Sequence, residues 1–193
     1  MNQRRPITST LLAAVAVTML GTLVAVPASA APASRAPVSP AAVTTVAVPV
    51  SCTFGPDTPV FDTTAHVTVS SPANALLLQN YSAKFTVHID DLVAPFDVQS
   101  ITVTSNFTIS GPVHPKGAVT FTTAPQALAT GQEPTDTTFA KAQQAGLQSG
   151  TVGYRFDGLS YDFKFAGSST IHAACTLTNG PVVVRTTKVI GLL

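Results

Sequence analysis

The stretch Val48–Phe54 (VPVSCTF) decides the fold, together with Ile171–Leu177 (IHAACTL) far along the chain. In both stretches apolar residues occupy alternate positions, and each holds one of the two cysteines on its apolar phase. This period of two is typical of a half-buried β-strand that turns its apolar face to the core. The pattern therefore predicts two strands that carry Cys52 and Cys175 inward, in the register of a disulfide buried between two sheets.

Residues 1–30 have the features of a secretory signal peptide. Arg4 and Arg5 form a basic start, Leu11–Val26 is an uncharged apolar run, and Ala28–Ala30 supplies the small residues of a cleavage site. The apolar run is shorter than the roughly 20 residues that a spanning helix needs. We therefore expect Sec-dependent export with cleavage after Ala30, a secreted protein, and no membrane span in the mature chain. The twin arginine leaves a Tat route as the less favoured alternative.

Export decides how the cysteines are interpreted. In an oxidising compartment two cysteines predict a disulfide, and only one connectivity exists, Cys52 with Cys175. Two separately buried free thiols are the alternative.

The composition argues against several classes of partner. Charged residues make up 10% of the chain, against about 25% in a typical protein, and the formal net charge is +1. A chain with so little charge and no basic stripe is not expected to bind nucleic acid, or to bind a membrane through a polybasic segment.

Residues 31–43 are rich in Ala, Pro, Ser and Val and show no periodicity. Such a segment buries too little surface to offset its ordering entropy, so it is predicted to be a flexible arm. Residues 44–193 are then predicted to form a single domain.

The period-two pattern recurs throughout that domain, with turn-forming residues between the apolar runs. Its inward positions are Ala65, Val67, Val69, Ala83, Phe85, Val87, Ile89, Ile101, Val103, Phe107 and Ile109. Asp157-Gly158 is a strong hairpin signal between two further runs. Residues 123–150 are ambiguous and are expected to be mostly loop, with one short strand or a turn or two of helix. We therefore predict an all-β antiparallel sandwich of about eight or nine strands.

Two late segments also resemble a known family. They are the T-F-x-x-A segment around Phe139, which runs on to Gly150, and the A-C-T-L-x-x-G segment from Ala174 to Gly180. Together with the early cysteine strand, they resemble the immunoglobulin-like β-sandwich domains of unknown function in secreted actinobacterial proteins. The resemblance implies an immunoglobulin-like sandwich and a core disulfide, and it brings no catalytic residues. The chain has no tryptophan, so it departs from antibody-type domains, which pack one against their disulfide.

Four histidines raise the question of a metal site. His66, His88 and His172 fall on the outward phase of their strands, and His114 lies in a Pro-Gly loop. Two of them could meet across neighbouring strands with a carboxylate such as Asp90. No pair shows the short spacing of a zinc motif, so solvent-facing histidines are the preferred interpretation and no metal is predicted.

Carboxylates cluster near two turns, at Asp90, Asp91 and Asp97 and again at Asp157 and Asp162. A calcium site would use such groups, but the D-x-D-x-D-G loop is absent and turn formation is the favoured role. No G-x-S-x-G motif is present, and adjacent Asp90 and Asp91 would point to opposite faces of a strand. No catalytic residue and no cofactor is therefore predicted.

The tyrosines could stack on sugars. Tyr154 and Tyr161 lie on the inward phase, so core packing is the favoured role, and Tyr81 is the third member of the set.

These features favour a secreted, non-catalytic binding or structural module of the cell envelope or the medium. Its contacts are expected at the loops 71–82, 90–100 and 111–117, because a rigid sheet scaffold presents its loops for recognition. The alternative is an extracellular carrier of a small apolar ligand, in a pocket near Leu76–Leu78 and Phe139. A secreted hydrolase is a remote third possibility.

Overall fold

The computed structural model describes residues 39–54, 60–111, 117–167 and 170–191, and this part of the chain contains strands and no helix. The all-β prediction is confirmed. The strands are β1 (Ala41–Phe54), β2 (Phe61–Pro72), β3 (Asn74–Leu76), β4 (Asn80–Ile89), β5 (Val98–Ser110), β6 (Gly117–Thr122), β7 (Gln126–Leu128), β8 (Thr138–Gln144), β9 (Gly150–Lys164), β10 (Thr170–Leu177) and β11 (Val182–Ile190). Within these ranges no helix has the length and apolarity needed to cross a membrane.

All eleven strands of the described residues join one sheet, and eight of them follow the order β3-β11-β9-β10-β1-β2-β4-β8. Strand β5 pairs with β9 and carries β6 and β7 on its other side. Every pairing is antiparallel except that between β3 and β11, so the sheet is mixed. The predicted count of eight or nine strands was therefore too low, and this strand order does not confirm an immunoglobulin-like topology.

Strand β9 is the centre of the sheet and runs through the predicted hairpin without turning. One edge pairs with β5 along almost its whole length, while the other pairs first with β11 and then with β10. Asp157 is an extra residue, because Asn106 pairs with Gly158 and Phe107 with Phe156. Asp157-Gly158 is thus a β-bulge, and the hairpin prediction was wrong. The extra residue shifts the alternation of buried side chains, which runs up to Phe156 before the bulge and resumes from Leu159 after it.

The predicted disulfide is confirmed, but its setting differs from the prediction. Cys52 of β1 and Cys175 of β10 lie directly opposite each other on neighbouring strands, with their Cα atoms 4.0 Å apart. Both cysteines are buried. The bond therefore joins adjacent strands of one sheet rather than two facing sheets, because β1 and β10 pair with each other.

The sheet folds over so that two of its parts pack face to face. The ring of Phe85 on β4 lies 4.8 Å from that of Phe107 on β5 and 5.8 Å from that of Tyr154 on β9. The three side chains are fully buried. Their contact forms the centre of the core. Most of the inward positions predicted for β2, β4 and β5 are buried around it, whereas Val87 and Val103 are only partly buried.

The start of β1 and the content of the segment 123–150 differ from the predictions. Strand β1 begins at Ala41 and pairs with β2 from that residue on, so the end of the predicted arm belongs to the sheet. The segment 123–150 contains two strands, β7 and β8, and no helix in its described residues. The predicted signal peptide, the predicted arm up to residue 38 and His114 lie outside the described residues.

A buried polar network ties the end of β2 to β11. The Thr187 hydroxyl lies 2.8 Å from the Pro72 carbonyl, 3.0 Å from the Ser71 hydroxyl and 3.3 Å from the Tyr154 hydroxyl. Arg185 adds hydrogen bonds to the Ser71 carbonyl and hydroxyl. Buried polar atoms need such partners, because an unsatisfied one costs far more than a hydrogen bond contributes.

We expect Thr187→Val to lower the free energy of unfolding by about 2 kcal/mol, because the change keeps the shape and removes the hydroxyl from this network. Thr186→Val is the matched control, since Thr186 is the exposed neighbour of Thr187 on the same strand. Chemical denaturation followed by circular dichroism measures both variants. Equal stability of the two variants would contradict this role for the network.

Candidate binding groove

An apolar groove with a volume of about 570 Å³ lies at the end of the sheet where β1 and β9 finish and β2 and β10 start. Its walls come from those strand ends and from the loop between β4 and β5, residues 90–97. Pockets that hold drug-sized ligands have volumes of about 300–1,000 Å³ and mainly apolar linings. The groove fits that description.

Four phenylalanine rings follow one another along the groove. Phe54 lies 5.8 Å from Phe163 between ring centroids, and Phe163 lies 6.5 Å from Phe165 with the two rings nearly parallel. Phe96 of the loop lies 5.2 Å from Phe165. The rings therefore give the groove a continuous aromatic surface of the kind that buries large apolar area on binding.

The rim of the groove exposes large apolar side chains. Five of these side chains are 37–59% exposed to solvent: Val60, Phe61, Val93, Phe96 and Ile171. Ile171 was predicted to face the core, and its position at the start of β10 leaves it uncovered instead. A contiguous apolar patch on a folded protein usually marks a place where something binds.

The loop wall is fixed at its start by Asp90. The backbone N–H of Asp90 donates to the Thr64 carbonyl at 3.0 Å, and the Asp90 carbonyl accepts from the Thr63 hydroxyl at 2.9 Å. A carboxylate oxygen of Asp90 lies 3.0 Å from Nε2 of His66. Both the backbone and the side chain of Asp90 are thus held against β2.

The far part of the loop is fixed to the segment after β7. The N–H of Ala94 donates to the Gln132 carbonyl at 2.9 Å, and the N–H of Gly131 donates to the Ala94 carbonyl at 2.8 Å. Thr130 donates from its N–H and its hydroxyl to one oxygen of Asp97, at 2.8 and 2.9 Å. These bonds, the backbone one first, lower the pKa of Asp97. The loop wall is thus held at both ends by contacts within the protein.

Two of the histidines do meet across strands, as the sequence suggested. His66 of β2 and His88 of β4 are direct register partners, and His88 lies 3.8 Å from Asp90 and 3.1 Å from Asp136. Asp90 and Asp136 therefore act as hydrogen-bond partners of the imidazoles. No three His, Cys, Asp or Glu side chains of the described residues are arranged to hold a metal ion. His172 lies apart from this cluster, 2.7 Å from Asp162.

The remaining carboxylates considered for calcium do not come together. Asp157 accepts hydrogen bonds from Arg155 at 2.7 Å and from the Thr108 hydroxyl at 2.6 Å, on the bulge of β9. Asp91 lines the groove, whereas Asp97 is bound to Thr130. The turn-forming and anchoring roles account for their positions.

The three tyrosines are all buried, as predicted for Tyr154 and Tyr161. The Tyr154 hydroxyl donates to that of Tyr81 at 3.1 Å, and burial is the main cause that raises the pKa of Tyr81. Burial, followed by the charge of Asp136, likewise raises the pKa of Tyr161. None of the three lines the groove.

No protein-family model matches the chain, and no curated protein has a significantly similar sequence. The groove must therefore be interpreted from its own residues.

Only part of the groove was predicted from the sequence. The loop 90–100, one of three expected contact surfaces, supplies a wall, whereas the loop 71–82 contains β3 and residues 112–116 lie outside the described residues. None of the residues named for the expected apolar pocket, Leu76–Leu78 and Phe139, lines the groove, whereas Phe139 lines a separate, much smaller cavity. Phe139 also stacks on Phe121 at 5.0 Å.

Proposed function

We propose that this chain is an exported, non-catalytic binding protein that holds a small apolar ligand in the groove. One observation carries the proposal: a phenylalanine-lined groove of about 570 Å³ with an exposed apolar rim. Covering the rim and filling the groove would remove a large apolar area from water, which is the usual driving force for such binding. The proposal joins the two expectations of a binding module and of an apolar carrier.

The absence of catalysis belongs to the same proposal. The acidic and histidine side chains that suggested chemistry are engaged in anchoring contacts, such as Asp90 with His66 and Asp97 with Thr130. A hydrolase needs several catalytic side chains that converge on a substrate. The described residues that line the groove contain no such set.

Export is also proposed. Its support is the disulfide, since such bonds form and persist in oxidising compartments, together with the leader-like residues 1–30. An immunoglobulin-like relationship stays a proposal at the level of the fold. Two parts of the sheet face each other around one core, but the disulfide joins strand neighbours, whereas antibody domains bridge their two sheets.

We expect Phe96→Ala to weaken binding of a neutral fluorescent probe, N-phenyl-1-naphthylamine, about five- to tenfold. The change removes one aromatic wall, and Phe96 is 57% exposed, so little of the core depends on it. A fluorescence titration of the purified protein measures the dissociation constant, and thermal melting of the variant confirms that it is folded.

Leu147→Ala is the matched control, because Leu147 is 72% exposed and does not line the groove. It should bind the probe like the unmodified protein. The proposed function fails if the unmodified protein shows no saturable binding, or if Phe96→Ala binds as tightly as Leu147→Ala.

A further inference from the structure

Asp91 is the one charged side chain among the described residues that line the groove. Its carboxylate makes no hydrogen bond or ion pair with the described part of the chain. By contrast, the carboxylate of Asp90 is hydrogen-bonded to His66 and that of Asp97 to Thr130. An exposed carboxylate beside an aromatic surface remains available to a ligand.

The backbone fixes where that carboxylate lies. Asp91 has a φ of 57°, in the left-handed region, and its carbonyl accepts the N–H of Val93 at 2.9 Å. Aspartate and asparagine tolerate this region better than most residues other than glycine. Because Asp90 is tied to β2, the turn places the Asp91 side chain at the groove in a defined position.

The surroundings of the groove are also acidic. Asp97 and Glu133 lie in loops, and each directly adjoins a lining residue in the chain. Two basic side chains adjoin the lining in the described residues. His172 is held by Asp162 at 2.7 Å, and Lys164 alternates with Phe163 and Phe165, which places it on the opposite face of the strand.

This charge distribution discriminates between apolar ligands. A fatty acid or another anionic amphiphile would bring a negative charge next to Asp91, whereas a cation would gain an ion pair there. The faces of the phenylalanine rings attract cations as well. We propose that the groove selects a hydrophobic cation, with the apolar body along the phenylalanine rings and an ammonium group at Asp91. This inference rests on the proposed function.

Three probes with the same decyl chain test the inference: decyltrimethylammonium, decanol and decyl sulfate, each below its micellar concentration. Each competes with N-phenyl-1-naphthylamine for the purified protein. We expect the cation to bind about fivefold more tightly than the alcohol, and the sulfate more weakly than the alcohol. The preference should shrink as salt is raised, because a partly exposed ion pair is screened.

The variant Asp91→Asn isolates the charge, because asparagine keeps both the shape and the tolerance for the left-handed backbone. It should bind the cation no more tightly than decanol, so that the preference for the cation is lost. Asp62→Asn removes the same charge from a residue outside the lining, and it should keep the preference.

The outcomes separate the two proposals. Equal binding of all three probes, or a cation preference that survives in Asp91→Asn, overturns the hydrophobic cation and leaves an apolar groove. No displacement by any probe overturns the proposed function too. Dye binding that is lost as the protein dimerises, seen by light scattering, would assign the groove to a second copy of the chain and overturn the cation.

Discussion

Replacing both Cys52 and Cys175 with alanine is expected to lower the free energy of unfolding by about 4 kcal/mol. The disulfide closes a loop with a sequence separation of 123, so in the chain-entropy model it removes much freedom from the unfolded chain. In the folded protein the two cysteines are direct cross-strand partners. The strands are therefore positioned to remain paired without the bond. The loss of stability should come mainly from the greater conformational freedom of the unfolded chain.

Chemical denaturation followed by circular dichroism measures this loss. The control replaces Ser51 and Thr176 with alanine, because they are the adjacent cross-strand pair on the same two strands. That control should lose much less stability. The unmodified protein in a reducing agent should match the cysteine-free variant. Unchanged stability on reduction would rule out a stabilising role for the disulfide.

Gly158→Ala is the substitution with the second largest expected effect, a loss of about 3 kcal/mol. Gly158 has a φ of 142°, which side chains other than hydrogen rarely accept. A Cβ at this position would also lie 3.1 Å from the Cys175 carbonyl oxygen, which belongs to the backbone of the neighbouring strand and cannot swing aside. The added methyl group must therefore distort either the bulge or β10.

Gly153→Ala is the matched control on the same strand. Its added Cβ would meet its nearest neighbour, the Ser110 hydroxyl oxygen, at 3.4 Å, which is an ordinary contact. We expect its stability to stay within about 1 kcal/mol of that of the unmodified protein. If the two glycine variants melt at the same temperature, the bulge tolerates a side chain and this account of β9 is wrong.

Local alternation was sufficient to predict the strands and their inward faces. Val50 and Cys52 of β1 and Val67 of β2 are buried as their phase indicated, because both strands have neighbours on both sides. Ile171 follows the same phase yet is 41% exposed, because it lies where β10 begins and little covers it. The phase of a strand identifies its core face but not the extent of the core.

The errors arose where distant pairing determined the structure. Asp157-Gly158 has the residues of a tight turn, but β9 has β5 along one edge and β11 and β10 along the other, and this pairing keeps the strand extended. Strand β8 carries mostly polar residues, and its pairing with β4 defines it as a strand.

The groove could not be predicted for a related reason. Phe54, Phe96 and Phe163 come from separate parts of the chain, and each one alone reads as an ordinary apolar residue. Their assembly depends on which strand ends coincide and on the anchored loop between β4 and β5. The loop 90–100 was predicted to be a contact surface from its position between strands, but the aromatic surface beside it was not predicted.

The disulfide also has a mechanical consequence. Cys52 lies near the end of β1 and Cys175 near the end of β10, so eight of the eleven described strands, β2 to β9, lie wholly between them. If force were applied to the two ends of the chain, an intact bond would carry the load across this region. The loop closed by the disulfide, about 400 Å long if fully extended, would then not be stretched. Only the segments outside the loop could be drawn out, which limits how far the protein can stretch before a covalent bond breaks.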